Sequence, residues 1–268
     1  MKKEVLIVYL FTKFDKLSYL KKFLKQYKKY KPGYRHKLLI CLKLIHNNKI
    51  KNIRNILNRF KYLEFIDPVK QNDFDFGSYG RVAKRFKNKI IFFMNSHSYP
   101  IRKNWLKTML KFYKNKTILS SSASNESIFT ALKLKKIYKI FSHIKKYSKF
   151  KKKFFPFPNP HIRTANFLIS SKDFLLFNKN RNYKTKEDAW FSESGKNGIT
   201  NFFKNRGYKL LVVNSDSRSF DEKNWVKSDT YCSNKQNKLL ISDRHTRKYE
   251  KLSMKEKKKM QEKVWLNL

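Results

Sequence analysis

In the stretch Glu4 to Phe11 every residue after Glu4 is apolar, a run of strand length, and apolar residues at helical spacing follow it: Leu17, Leu20, Phe23, Leu24 and Tyr27. A strand with no polar face must be covered on both sides, so this start commits the chain to a layered α/β architecture. The alternation continues. Strands are expected over Lys37 to Ile45, Tyr62 to Ile66, Ile90 to Met94 and Thr117 to Leu119. Helices are expected over Ile50 to Phe60, Ser78 to Lys87 and Trp105 to Tyr113. Right-handed β-α-β crossovers then give a mostly parallel sheet flanked by helices, of Rossmann type. Ligands of such sheets sit beyond the carboxyl ends of the strands, which makes the loops after each strand the places to look for chemistry.

Past residue 120 the pattern changes. Glu126 to Phe150 reads as a basic amphipathic helix, with Leu134, Ile137, Tyr138, Phe141 and Ile144 on one face. Lys151 to Pro160 follows, its three prolines excluding regular structure. Strands at Asn166 to Ser170 and Lys209 to Val213, with helices at Asp173 to Phe177 and Ile199 to Asn205, complete the pattern. The last fifty or so residues read as an irregular arm.

With 64 basic and 19 acidic residues the formal net charge is +45, which by itself would suggest a nucleic-acid partner. The 64 are 52 lysines and 12 arginines, whereas bidentate reading of bases and phosphates favours arginine. The lysines are also spread over every segment instead of forming a stripe. Nucleic acid is therefore an unlikely partner on this reading, although a non-enzymatic basic nucleic-acid-binding protein stands as the rival class. Cys41 and Cys232 have no metal-ligand spacing and fit a reducing compartment. Met1 to Phe11 lacks a cleavage site and reads as a strand instead of a signal peptide, and no apolar run reaches the roughly eighteen residues of a membrane span. The expected location is cytoplasmic. The basic helix and Phe154–Phe155 also suit peripheral contact with an anionic inner membrane.

Four loops carry candidate chemistry. The first is Asp73-Phe-Asp75-Phe-Gly77-Ser78-Tyr79, with Arg81 and Lys84 on the following turns; a helix opening at Gly77-Ser78 would present free N–H groups to a diphosphate. The second is Asn95-Ser96-His97-Ser98, directly after the strand Ile90 to Met94, where hydroxyls, an amide and an imidazole could meet a ribose or a sugar. The third, Thr185 to Gly198, concentrates scarce acids. Transfer to a hydroxyl needs a carboxylate to take its proton, and Glu193, before a glycine-rich turn, is the first choice, with Asp188 the second. The fourth is Asn159-Pro-His161-Ile-Arg163-Thr164, a polar cluster for an acceptor or a diphosphate.

Taken in order and spacing, these segments resemble bacterial glycosyltransferases of the GT-A type, near the family-2 and rhamnan-synthesis proteins of surface-polysaccharide clusters. The resemblance rests on Phe23-Leu-Lys-Gln-Tyr27, Asp75-Phe-Gly-Ser-Tyr79, Phe92 to Ser98 with Pro100 and Trp105, Phe157 to Thr164, Glu193-Ser-Gly195, and Trp225 to Tyr249. It implies a GT-A-like catalytic domain over 1–220 with a C-terminal arm, 221–268, packed on it. Residues 1–120 would hold a nucleotide sugar and residues 121–220 a surface-glycan or lipid-linked acceptor. The family places a metal-binding Asp-x-Asp after the strand ending at Met94, where this chain reads Asn-Ser-His. A Mg²⁺ or Mn²⁺ cofactor is thus compatible with the family but not assigned by these residues, and a literal Asp73-Phe-Asp75 falls one loop early. Without a metal, Arg81, Lys84 or Arg163 would have to stabilise the departing diphosphate. The missing motif also leaves an inactive scaffold of transferase fold as an alternative.

Overall fold

A computed structural model describes residues 4–133 and 140–266. The first half follows the expected alternation: β1 (Val5–Thr12), α1 (Leu17–Lys29), β2 (His36–Lys43), α2 (Asn47–Leu57), β3 (Leu63–Asp67), α3 (Phe74–Arg85) and β4 (Ile90–Met94). After β5 (Tyr99–Pro100) come α4 (Trp105–Leu110), β6 (Thr117–Ser120) and β7 (Ala123–Ser124). The basic segment is described as α5 (Ile128–Lys133) and α6 (Ile140–Lys153). Of the apolar face expected there, Leu134, Ile137 and Tyr138 and the side chains of Phe141 and Ile144 lie outside the described residues. The second half holds β8 (His161–Ile162), β9 (Asn166–Ser170), α7 (Ser171–Asn178), α8 (Lys186–Ser194), α9 (Ile199–Lys204), β10 (Lys209–Val213) and β11 (Ser219–Phe220).

The arm expected to be irregular is largely regular. It contains a 3₁₀ helix (Glu222–Ser228), β12 (Ile241–Ser242), α10 (Arg244–Glu250) and α11 (Met254–Trp265). Capping boxes start both α-helices, Asp243 with Thr246 and Ser253 with Glu256.

Eight strands form one sheet in the order β11-β10-β6-β9-β4-β1-β2-β3. β3, β2, β1 and β4 are parallel, and β6 with β10 points the same way; β9 runs antiparallel between β4 and β6. The sheet is thus mostly parallel and covered on both faces, as the apolar strands required. Along β1 the two faces alternate. Leu6, Val8 and Leu10 join the core under α3 and α7, while Val5, Ile7, Tyr9 and Phe11 join the core under α1, α2 and α4.

One helix starts a turn earlier than its sequence suggests. α3 begins at Phe74, not Ser78: Gly77 N already donates to the Asp73 carbonyl, and the Asp73 carboxylate packs so closely over Gly77 that a Cβ there would lie 2.0 Å from Oδ2. Gly77 and Ser78 are therefore buried inside the helix, without the free N–H groups of a helix start.

Candidate active site

The sheet has a switch point. From β1 the chain crosses to β2 on one side, and from β3 it returns to β4 on the other side of β1. The loops that leave β1 and β4 consequently diverge and open a crevice at their carboxyl ends. Leu10, Thr12, Asp15, Asp75 and Asn95 to His97 line it, around about 160 Å³. Asp15 ties its walls together. Oδ2 accepts from Thr12 N and Oγ1 at 2.7 and 2.8 Å, and Oδ1 accepts from Ser96 Oγ at 2.6 Å. Tyr9 donates to the Ser96 carbonyl. The side-chain carbonyl of Asn95 is folded into its own turn, accepting from His97 N and Ser98 Oγ, and buried Ser98 also donates to the Ala165 carbonyl. His97 packs on Tyr19 with ring centroids 4.7 Å apart. Burial lowers its pKa, with Arg244 and Arg247 acting in the same direction and Asp15 and Asp243 against it. Asp15 escaped sequence reasoning; Thr12-x-x-Asp15 at the end of the first strand was the available signal.

A second cavity, of about 380 Å³, adjoins the crevice and shares Asp75 and Asn95 with it. Glu193, from the last turn of α8, lies in its wall. Thr164 N and Oγ1 donate to Glu193 Oε1 at 3.0 and 2.8 Å, and among the described residues no hydrogen bond engages Oε2. His161 lines the same cavity and is held through Nδ1 at 2.8 Å from the Asn159 carbonyl. Asn159 donates to the Ser194 carbonyl and shapes the wall from behind. Trp190 adds an aromatic wall, and the C-terminal arm contributes Tyr231, His245 and Lys263. Lys263 pairs with Glu126 at 3.1 Å. Burial alone would raise Glu126, but Lys263, Arg163 and His161 outweigh it and hold the carboxyl low.

Several residues expected to meet ligand are committed elsewhere. Arg163 lines the cavity, but its guanidinium is paired in bidentate fashion with buried Asp243 at 2.7 and 3.1 Å and stacks on Tyr231 at 3.7 Å. Arg81 donates to both Asp67 and Asp73, and Ser78 Oγ donates to Asp67 at 2.6 Å. Tyr79 is core, its ring 4.2 Å from that of Phe93. Lys84 faces a different depression, between α3 and α7. Asp188 fills the N3 position of the α8 capping box with Thr185 and is not among the residues lining either cavity. For Arg163, Arg81, Ser78 and Asp188 a local or buried partner takes the group that sequence alone left free.

Asp75 is the exception. It lines both cavities, and among the described residues nothing hydrogen-bonds to it. Burial pushes its pKa up to about 6, with Lys43 opposing and Asp15 and Glu193 adding to the rise. No group of three or more His, Cys, Asp or Glu among the described residues could hold a metal. Asp73 is spent on Lys43 and Arg81, and both Asp15 oxygens accept hydrogen bonds, so the side chains present do not fit a cation held by the protein alone.

No family model matches the chain, and no curated protein matches it. Solved structures do resemble it. The mannosyltransferase PcManGT from Pyrobaculum calidifontis, solved with GDP-mannose and Mn²⁺, aligns over 85% of this chain and 60% of its own at 7% identity and a TM-score of 0.51. The 4-diphosphocytidyl-2C-methyl-D-erythritol synthase of Anaerococcus prevotii aligns over 84% and 94% at 11% identity and 0.45. GalNAc-T7, solved with UDP, GalNAc and Mn²⁺, aligns over 44% and 22% at 12% identity and 0.37. The chain thus spans only 22% and 60% of the two transferases' lengths. At these identities the likeness concerns the fold: a mixed α/β, GT-A-like sheet flanked by helices, as the sequence implied.

Proposed function

We propose that the protein is a glycosyltransferase that moves a sugar from a nucleoside-diphosphate sugar to a hydroxyl of a surface glycan or its lipid-linked precursor. The observation that carries this reading is the pair of cavities meeting at Asp75 and Asn95. One lies at the switch point, where a nucleotide belongs on such a sheet, and the other is large enough for a sugar ring. The acceptor hydroxyl enters beside Glu193. Thr164 fixes one carboxylate oxygen, and the other takes the proton as the hydroxyl oxygen bonds to the anomeric carbon. The bond from that carbon to the diphosphate breaks, and the nucleoside diphosphate leaves through the crevice. Trp190 offers the acceptor ring an apolar face.

Contact with an anionic membrane belongs to the same reading. Lys149 and Lys151 to Lys153 are exposed on α6, and Phe155 beyond them is 41% exposed. Ile128 and Ala131 of the neighbouring α5 line the acceptor cavity. Phe154 takes no part in that surface, because it is buried with Phe129, Leu132 and Phe150.

Hydrogen exchange tests donor placement. A bound UDP-, GDP- or dTDP-sugar is expected to protect residues 12–15 and 95–98. Protection confined to the C-terminal arm would overturn the assignment.

A further inference from the structure

At the carboxyl edge of the sheet the register places Thr12, Lys43 and Asp67 side by side at the ends of β1, β2 and β3. Lys43 is 1% exposed, an unusual position for a lysine. Its ammonium donates to Asp73 Oδ1 at 2.6 Å and to the carbonyl of Phe74. Asp73 is also gripped by Arg81, which in turn grips the fully buried Asp67 carboxylate. These four charges, Asp67, Arg81, Asp73 and Lys43, form one chain of ion pairs. Burying such a chain costs solvation that its mutual attraction scarcely repays, so it makes a poor device for stability. What it does hold is backbone. Phe74, a bulky residue, has φ +54°, in the left-handed region that side chains of its kind avoid. Strain of this sort persists only where the surroundings enforce it. Here Lys43 fastens the carbonyl of the strained residue, and Lys43 and Arg81 together fasten the side chain of the residue before it, Asp73. The next residue is Asp75, which lies where the two cavities meet and, among the described residues, has no hydrogen-bond partner.

We propose that the buried ion-pair chain is a positioning device: Lys43, Asp73, Arg81 and Asp67 lock Phe74 in its left-handed conformation and so aim the Asp75 carboxylate at the sugar being transferred. Asp75 in its ionised form accepts hydrogen bonds from hydroxyls of that sugar and fixes the ring against Glu193. The ligand class is a neutral polyol, since a second anion could not replace it beside Asp15 and Glu193. This proposal rests on the glycosyltransferase reading above. Asp75 touches substrate; the other four residues act through it.

The groups facing Asp75 are Lys43 from β2, Asp15 from the loop after β1 and Glu193 from α8. Lys43 favours the carboxylate, so its loss raises the pH at which Asp75 ionises. The test follows nucleoside diphosphate release from UDP-, GDP- and dTDP-hexoses between pH 5 and 9. In the wild type, release is expected to fall as pH drops through about 6, where Asp75 takes up its proton. Lys43→Met is expected to slow release by about tenfold or more and to move that limb to higher pH, as misaiming a substrate contact would. UDP binding, measured by calorimetry, should stay within about twofold. In an Asp75→Asn background, Lys43→Met should add almost nothing, because its effect runs through Asp75. Where Lys43→Met does not fold, Asp73→Asn takes its place. An unmoved limb in a folded variant, or an undiminished cost in the Asp75→Asn background, would overturn the positioning role. No release from any hexose by wild-type protein that binds UDP would instead sink the transferase reading, and the positioning role with it.

Discussion

The segments 71–85 and 185–198 look alike in sequence: each is a loop with several acids leading into a helix. They spend those acids differently. At 185–198 two acids are consumed: Asp188 by Thr185, three residues away in a capping box, and Glu187 by Lys146 and Lys149 of α6. Glu193, one helical turn and a half further on, stays available to the cavity. At 71–85 the consumed acid is Asp73, taken by Lys43 and Arg81 from elsewhere in the fold, and Asp75 stays available. Local chemistry disarms Asp188; tertiary chemistry disarms Glu187 and Asp73. Only the first could be recognised from spacing alone, since Thr-x-x-Asp is a helix-start pattern.

The comparison can be broken most forcefully at Glu193. Glu193→Gln keeps the shape and removes the base, so turnover should fall about 10²- to 10⁴-fold while nucleotide-sugar binding is retained. Near-normal turnover in that variant would move the proton acceptor elsewhere, with Asp75 the next group to examine.

A second large effect separates Arg163 from its expected role. If Arg163 is structural, Arg163→Met leaves Asp243 buried and unpaired, which should cost about 3–5 kcal/mol in a denaturant titration. Folding that stays intact alongside weakened nucleotide binding would return it to the diphosphate.

Asp75 gives a smaller effect with a definite sign. Its folded pKa, about 6, lies above the ordinary aspartate value, so the folded protein holds this proton more tightly than the unfolded chain. Stability from this group is therefore lost as pH rises from about 4 to about 6 and stays lost above. Asp75→Asn should melt higher than wild type at pH 8 and at nearly the same temperature at pH 4. A variant less stable at pH 8 would show that Asp75 has a partner it lacks here.

The smallest effect belongs to Asp188. Asp188→Ala should cost about 0.5–1 kcal/mol, as loss of a helix cap does, with turnover unchanged. A hundredfold loss of turnover would exchange the roles of Asp188 and Glu193.

Most strands were legible because each is a short apolar run bounded by polar residues. The Asn166–Ser170 and Lys209–Val213 strands match the expectation residue for residue. The antiparallel direction of β9 was not legible: it is set by where the strand pairs, between β4 and β6, and not by its own composition. The C-terminal helices were hidden for another reason. Lysines crowd Met254–Trp265, and its buried anchors, Val264 and Trp265, sit only at its end. In the site, Asn95 to His97, Glu193 and His161 do line cavities, and Asn159 and Thr164 hold their walls. Arg81, Ser78 and Asp73 do not line the crevice at the switch point, because Asp67 and Lys43, distant in sequence and close in the sheet, claim them first. Periodicity reports which face of an element is buried, but carries no information on which charges will meet inside.

The central claim is that this strongly basic protein binds a nucleotide sugar at the sheet's switch point and does not act by holding nucleic acid. Thermal melting tests it directly, with UDP-, GDP- and dTDP-sugars, with and without Mn²⁺, beside single-stranded DNA at two salt concentrations. A ligand bound only by the folded protein stabilises by about 2.7 kcal/mol at one hundred times its Kd. The account predicts that one class of nucleotide sugar raises the melting temperature by several degrees, an increase reduced when Asn95 and Asp75 are replaced by Ala. Stabilisation by DNA alone, vanishing steeply as salt rises, would contradict it.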